Sequence, residues 1–322
     1  MAGVMRNQFT EALKKDAYRW YFESYPEKPP VYQELFEVVP SDAAYDMFTS
    51  AVGLGELLEK PEGEDLQADR PMEAYTIVCK NRTFGRLVRF SYETVQDVKK
   101  VSNLLQTTVG KWASSVVETK EKFYAKFFGY GAYTAGNDVF NNTITDVITD
   151  SSGNLIYDGQ PFFSTAHPDK VGNTYSNYES ADSLTPDNLK ANHLIFTSTN
   201  NRNERGQIID WAPDTLLVPP ALTFTAREIL NTTSLPFSQD NTINILSSIV
   251  QPLEWSYLTA YDTDCWFLLK RKVGLMATAR QDVVMDVWSD ETNLDMFCSI
   301  NLRFGGAVTN WRGAFACNIA SS

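Results

Sequence analysis

The apolar positions of residues 91–129 fall at Val95, Val98, Val101, Leu105, Val109, Trp112, Val116, Phe123 and Phe127. That is the three-and-four spacing of a helix that buries one stripe. No proline interrupts the run. Ser91 is the predicted N-cap, because its hydroxyl can accept from a free first-turn amide, Glu93 complements the positive end, and Gly129 with Gly131 supplies the stop. Unbroken, the helix spans about 55 Å at roughly 1.5 Å per residue. A compact domain needs nothing so long, so the pattern predicts a spine.

Ahead of the spine, residues 1–45 carry a short amphipathic stretch around Phe9 to Phe22, then Tyr25, Pro26, Pro29, Pro30 and Tyr32. Proline pairs favour an extended backbone without internal hydrogen bonds, which predicts a strap running over a surface. Four Tyr, one Trp and three Phe between residues 9 and 36 give this arm an aromatic surface that needs a partner. Residues 53–75 then hold seven acids, Glu56, Glu59, Glu62, Glu64, Asp65, Asp69 and Glu73, against Lys60 and Arg70. The returning limb, residues 80–90, holds Lys80, Arg82, Arg86 and Arg89 and no acid. The flanking TIVCK and TFGRLVRF are β-prone, so the whole predicts a long two-stranded loop with an acidic and a basic side. Two readings of the charges stand open. Either the limbs neutralise one another, or each loop lies on an adjacent copy, where opposite charges set register.

After the spine, TDSSGN between β-prone runs is a hairpin signal. Thr185 followed by Pro186 and Asp187 predicts a helix start, with Leu189, His193 and Phe196 on one face and an end before the polar NRNERG loop. Strand TLLV, helix ALTFTAREIL, strand INILSSIV and strand CWFLLKR follow, a mixed α/β layer. In the last sixth of the chain Val283, Met285 and Val287 precede a strict alternation. Leu294, Met296, Cys298, Ile300, Leu302 and Phe304 alternate with Asp295, Phe297, Ser299, Asn301 and Arg303, so one strand face is buried. Gly305 and Gly306 predict a bend before Ala307, Thr309, Trp311, Phe315 and Cys317 continue the pattern. These return strands are expected to pack under the spine.

At 322 residues and 43% hydrophobic content the chain can form two domains, or one domain with extended appendages. A net charge of −12 argues against a dedicated nucleic-acid face, which needs clustered Lys and Arg to displace counterions, and against an anionic membrane. Cys79, Cys265, Cys298 and Cys317 stand far apart without a CxxC pair, so no zinc site or disulfide framework is expected and reduced cytoplasmic thiols fit. The opening MAGVMRNQFTEALKKD lacks the apolar run of a secretion signal, and no stretch approaches the ~20 apolar residues of a membrane span. The expectation is a protein kept inside the cell.

Candidate chemistry is sparse. Ser164 and His167 offer a nucleophile and a base, yet no GxSxG strand-turn-helix elbow surrounds them. His167 precedes Pro168 and is read as a turn anchor, His193 as a core histidine. Asp150, Asn154 and Asp158, or Asp262 and Asp264, lack the twelve-residue calcium pattern and are read as solvated turns. LLKRKVG is the densest basic run, either a DNA phosphate contact or an exposed strand end. No catalytic residue, metal site or cofactor is expected.

The string DGQPFFSTAHP (158–168) resembles the DG-x-P-x-FS-x-x-HP segment of the Mu-like phage major head subunit family. DTLLVPPALTFTAREILN (214–231) resembles that family's strand, double proline and following helix, and RFSYETVQDV (89–98) is similar to the strand-into-spine junction of phage capsid proteins more widely. Residues 1–45 lie outside the resemblance. It implies an α+β chain with the Hong Kong 97-type capsid fold. The expected parts are an N-terminal arm (1–46), an extended loop (47–90), a peripheral domain (91–184) with the spine at 91–129, an axial domain (185–280), and return strands of the peripheral domain (281–322). The implied function is that of a major capsid protein of a tailed phage, assembled in the bacterial host cytoplasm into pentamers and hexamers of an icosahedral head. That head encloses double-stranded DNA without sequence-specific binding. Partners expected are other copies of the chain, scaffold, portal and cement proteins. Expected intersubunit contacts are Glu62, Glu64, Asp65, Arg82, Arg86, Arg89, Tyr25 and Tyr32. An encapsulin-like compartment and a soluble hydrolase using Ser164 and His167 are the alternatives.

Overall fold

The computed structural model describes residues 6–52, 59–60, 62–63, 65–66, 68–69, 72–91, 93, 101–134, 143–145, 155–232, 244–290, 292–293 and 295–319. Helix α1 (Arg6–Glu23) leads through the proline strap into the short helix α2 (Tyr32–Leu35) and strand β1 (Glu37–Pro40). Strands β2 (Tyr45–Val52), β3 (Met72–Lys80) and β4 (Arg82–Phe90) precede the spine helix, which covers Val101–Gly129. Its 29 residues span about 43 Å. Val95 and Val98 of the expected stripe lie outside the described residues, as does the start at which Ser91 was to act as cap. Within the helix Leu105, Val109, Trp112, Val116, Phe123 and Phe127 are buried as expected, and Tyr124 and Phe128 widen the stripe.

The return strands β12 (Leu275–Ser289) and β13 (Met296–Val308) form a four-stranded sheet in the order β1-β12-β13-β4. The spine packs on the alternating face of β13. Phe304 stacks on Phe84 at 4.4 Å between ring centroids and meets Phe123 edge-on at 5.2 Å. Tyr124 donates its hydroxyl to the Gly305 carbonyl at 2.8 Å and stacks on Tyr32 at 4.6 Å. The aromatic surface of the arm therefore finds its partner in its own spine. Tyr32 is only 4% exposed, so its own spine supplies the burial that an aromatic arm residue needs.

Three expectations are corrected. The hairpin pairs β2 with β3, whereas the basic limb β4 pairs antiparallel with β13 over Arg82–Phe90. β-propensity marks strands but does not choose their partners. Asn81 sits at the parting of β3 and β4, donating to Ser41 Oγ (2.7 Å), the Ala43 carbonyl (3.0 Å) and Asp46 (3.1 Å) while accepting from Thr278 Oγ1 (2.6 Å). Gly305 and Gly306 do not bend the chain, since β13 runs straight through them. A Cβ on Gly305 would lie 2.7 Å from the Lys80 carbonyl oxygen, so the glycine admits the β3–β4 crossing. Finally, Asn244–Val250 of the expected strand INILSSIV is a turn. The Asn244 amide takes the Ile229 carbonyl at the end of helix Thr223–Asn231, while its Oδ1 accepts from the Leu246 amide.

Strands β5 (Thr143–Thr145), β6 (His167–Pro168), β7 (Thr174–Tyr175) and β8 (Tyr178–Glu179) lead to helix Pro186–Leu194, which Thr185 caps by accepting from the Asn188 amide as expected. His193 on this helix is only half-buried, its imidazole held below its usual range by desolvation, and Asn192 takes the interior place. Strands β9 (Thr215–Val218), β10 (Gln251–Glu254) and β11 (Trp266–Leu269) belong to a second sheet, ordered β10-β9-β11-β14-β8. Its member β14 (Ala314–Cys317) is the last strand in chain order among the described residues. The return is thus shared between two sheets, where the alternation predicts one. Asn310 Oδ1 accepts from the Arg312 amide and starts a tight turn at Trp311–Gly313 that redirects the chain. All four residues of β14 are buried, Ala314 and Ala316 toward the spine core, Phe315 and Cys317 toward a second core under helices Pro186–Leu194 and Thr223–Asn231.

One buried carboxylate joins arm, spine and second sheet. Glu121 accepts from the Val31 amide at 2.5 Å and from Trp255 Nε1. Desolvation raises its pKa above the usual carboxylate range, against those two donors.

Phe304→Ala is expected to cost about 3–5 kcal/mol, because it empties the centre of the aromatic seam. Denaturant unfolding measures it, and a loss below about 1 kcal/mol would refute the packing. All four cysteines are free and buried. Desolvation pushes Cys79 up to about 11 and Cys265 and Cys298 to about 12, leaving on the order of one Cys79 in a thousand as thiolate at pH 8. Iodoacetamide at that pH should spare the native protein and label four thiols after denaturation. Rapid native labelling would contradict this burial.

Candidate assembly surface and the buried histidine site

The Asp158–Pro168 segment builds a closed polar site rather than a reactive one. His167 is fully buried, its Nδ1 lies 2.6 Å from Asp158 Oδ2, its Nε2 lies 3.0 Å from Asn177 Oδ1, and its ring stacks on Trp311 at 4.3 Å. The Asn177 amide has one orientation. Its Nδ2 donates to the carbonyls of Phe162 (2.9 Å), Ala314 (3.3 Å) and Trp311 (3.4 Å), and its Oδ1 accepts from the Ser164 amide (2.9 Å). His167 Nε2 must therefore donate, and a proton on Nδ1 or on Asp158 completes the other contact. Both ring nitrogens are occupied. Ser164 Oγ accepts from the Ala166 amide and donates to Gln160 Oε1, so it has no base. The pair cannot act as nucleophile and base, and the hydrolase alternative fails.

The same network explains why the motif has its residues. Gly159 turns with φ 78°, Phe162 and Phe163 enter the core, and His167 with Asn177 ties the motif to the turn before β14. Sequence reading finds His167 as an anchor but misses Asn177 and Trp311, whose types alone carry no signal for it.

The charged surfaces come out differently from one another. Arg89 pairs with the buried carboxylate of Asp295 and lies over Phe297, and Arg82 is half-buried and already partnered. The Arg86 side chain is exposed, with no hydrogen bond or ion pair among the described residues. Glu62 and Asp65 are likewise exposed and without ion pairs among the described residues, while Glu64 lies outside them. Asp69 is held by Arg205 at 2.9 Å, which pins the end of the acidic loop to its own chain. Tyr25 is half-buried against Tyr21. In LLKRKVG, the Arg271 guanidinium lies 3.8 Å from both Glu34 and Asp214, its amide donates to Asp214 at 3.2 Å, and Lys272 turns with φ 57° between β11 and β12. Asp262 Oδ1 accepts from the Asp264 amide in a simple turn. Asp150 and Asn154 lie outside the described residues.

His167→Ala leaves Asp158 buried without its partner, for which the expected loss is about 3–5 kcal/mol. Urea unfolding checks it. Wild-type stability in that variant would show that the network is dispensable.

No curated protein matches the chain. Among solved structures it is similar to the capsid of cyanophage P-SCSP1u, at 11% identity and TM-score 0.53, covering 92% of this chain and 89% of that one. It is similar to the structure of Microbacterium phage Oxtober96, at 9% identity and TM-score 0.51, covering 92% and 93%. It is also similar to the capsid of bacteriophage JBD30 decorated with minor capsid protein trimers, at 14% identity and TM-score 0.51, covering 80% of this chain and all of that one. Identities this low establish the fold, which is Hong Kong 97-like. The family described as phage capsid protein matches residues 75–317, well over half of the sequence. This chain belongs to the phage capsid protein family, whose members are structural proteins of the virion and not enzymes.

Proposed function

We propose that the chain is the major head subunit of a tailed phage of the Mu-like group, assembling in the bacterial cytoplasm into pentamers and hexamers of an icosahedral shell. The motif at 158–168 supports the subgroup, since its Asp, Phe, Ser and His residues all serve one buried network. In this reading the second core lies toward the capsomer axis. The four-stranded sheet and spine form the peripheral body, and the β2–β3 loop reaches over a neighbour. Scaffold and portal proteins direct closure, and a cement protein is a further partner class for the finished shell. The genome is enclosed without being read, as a net charge of −12 fits.

The observation that carries this reading is a set of complementary exposed charges without ion partners among the described residues, Arg86 on the edge strand and Glu62 with Asp65 on the loop. Across a closed shell such pairs recur at every copy. Each is modest alone, while the simultaneous contacts of one subunit hold it at high effective concentration. Electrostatic pairs of this kind fix register more than affinity.

Reversing all three arginines would also strand Asp295, so the informative variant is Arg86→Glu alone. It should keep the wild-type urea midpoint yet reduce assembled particles at least tenfold in electron micrographs of the expressed protein. Adding Glu62→Lys and Asp65→Lys to the same chain should restore them. Normal particles from Arg86→Glu would defeat the charge-register reading.

A further inference from the structure

Strand β4 is the edge of the four-stranded sheet, and between it and the spine lies a cleft of about 170 Å³. Phe84, Trp112, Val116, Ile300 and Leu302 wall it, and Arg86 stands on its rim. The register accounts for that placement. Arg86 pairs with Ile300 and Phe84 with Leu302 across β4 and β13, and cross-strand partners share a face of the sheet. The remaining lining is Gly85, Ser115 and Thr119, so among the described residues no carboxylate lines the cleft. Apolar cavities of about 150 Å³ admit a benzene ring. The cleft therefore has room for one branched aliphatic side chain, with a cation waiting beside it.

The matching group is on the acidic loop. Leu66 is 80% exposed, more than any other large hydrophobic residue among those described. Its neighbour Asp65 is exposed, and Glu62 stands four residues before it. Among the described residues, nothing covers most of this leucine, which stands beside carboxylates. An apolar anchor seated in a pocket, with charges at the rim, is the arrangement that concentrates binding energy at an interface.

We propose that Leu66 of one copy inserts into the β4–spine cleft of the next copy, with Asp65 meeting Arg86 at the rim. This rests on the overlap reading above and adds to it the anchor residue and the receptor that takes it. The leucine supplies the attraction and the ion pair supplies the register. The anchor and the cleft belong to every subunit, so one such contact propagates around a capsomer as a head-to-tail ring.

The test is site-directed disulfide formation in the full chain under assembly conditions, read on non-reducing gels. Leu66→Cys combined with Ser115→Cys should give a ladder of linked chains from dimer upward, while neither single variant does. The four native thiols are buried and do not compete. A control combines Leu66→Cys with Ser299→Cys, a residue paired with Leu87 on the opposite face of the sheet. A ladder from the control but not from the cleft pair would overturn the anchor and leave the overlap standing. Links within single chains, or no links from either pair, would overturn both. In parallel, Leu66→Ser should raise the protein concentration needed for assembly by about tenfold, whereas Leu66→Met should leave it near wild type. An unchanged threshold in Leu66→Ser would overturn the anchor.

Discussion

The aromatic seam between the spine helix and the β12–β13 return is the contact on which the rest of this protein depends. Phe123 and Tyr124 on the spine meet Phe304 and the Gly305 carbonyl, while Tyr32 and Phe36 of the arm pack on Tyr124 and Phe36 meets Phe127 edge-on. Rings supply large buried areas, and edge-on or offset contacts add to them. The geometry admits little slack, since a single Cβ on Gly305 would collide with the β3–β4 crossing. Every extended part of the chain starts from this seam. The arm is strapped to it through Glu121, and the β2–β3 hairpin leaves it through Asn81.

The second constraint is the five-stranded sheet between two cores. Alternate residues of β9, β11 and β14 feed opposite sides, with Leu217, Phe267 and Ala316 in the spine core and Leu216, Leu268 and Phe315 in the other. The Asp158–His167–Asn177 network fastens the middle of the chain to β14 at this boundary. Residues that looked like chemistry are spent on holding the two halves together. Among the groups left on the outside are Arg86 on an edge strand and Glu62, Asp65 and Leu66 on a loop. A phage capsid protein is a subunit, and its function is completed by other copies.

Much of this was legible before any coordinates. The described part of the spine stripe, the period-two burial of β13 and the Thr185 cap follow from local rules that tertiary context did not override. Pairing was less legible. The run TFGRLVRF marks a strand but not its partner, and charge balance pointed to the acidic limb when the buried face of β13 was the stronger claim. AFAC reads as a continuation of an alternating strand, yet a four-residue stretch buried on both faces belongs to the middle of a sheet. Tyr32 shows the same limit, because an aromatic residue on an arm wants burial whether its partner is its own spine or another chain. Asn177 and Trp311 could not be found at all, since their roles depend on chain segments more than 130 residues apart.

The central claim is that this fold is completed by copies of itself, and the mass of the unmodified protein tests it most directly. Sedimentation of the purified full chain at high concentration, with negative-stain images of the same sample, should show megadalton shells, sheets or tubes. A homogeneous species of single-chain mass, with no particles at any concentration, would contradict it.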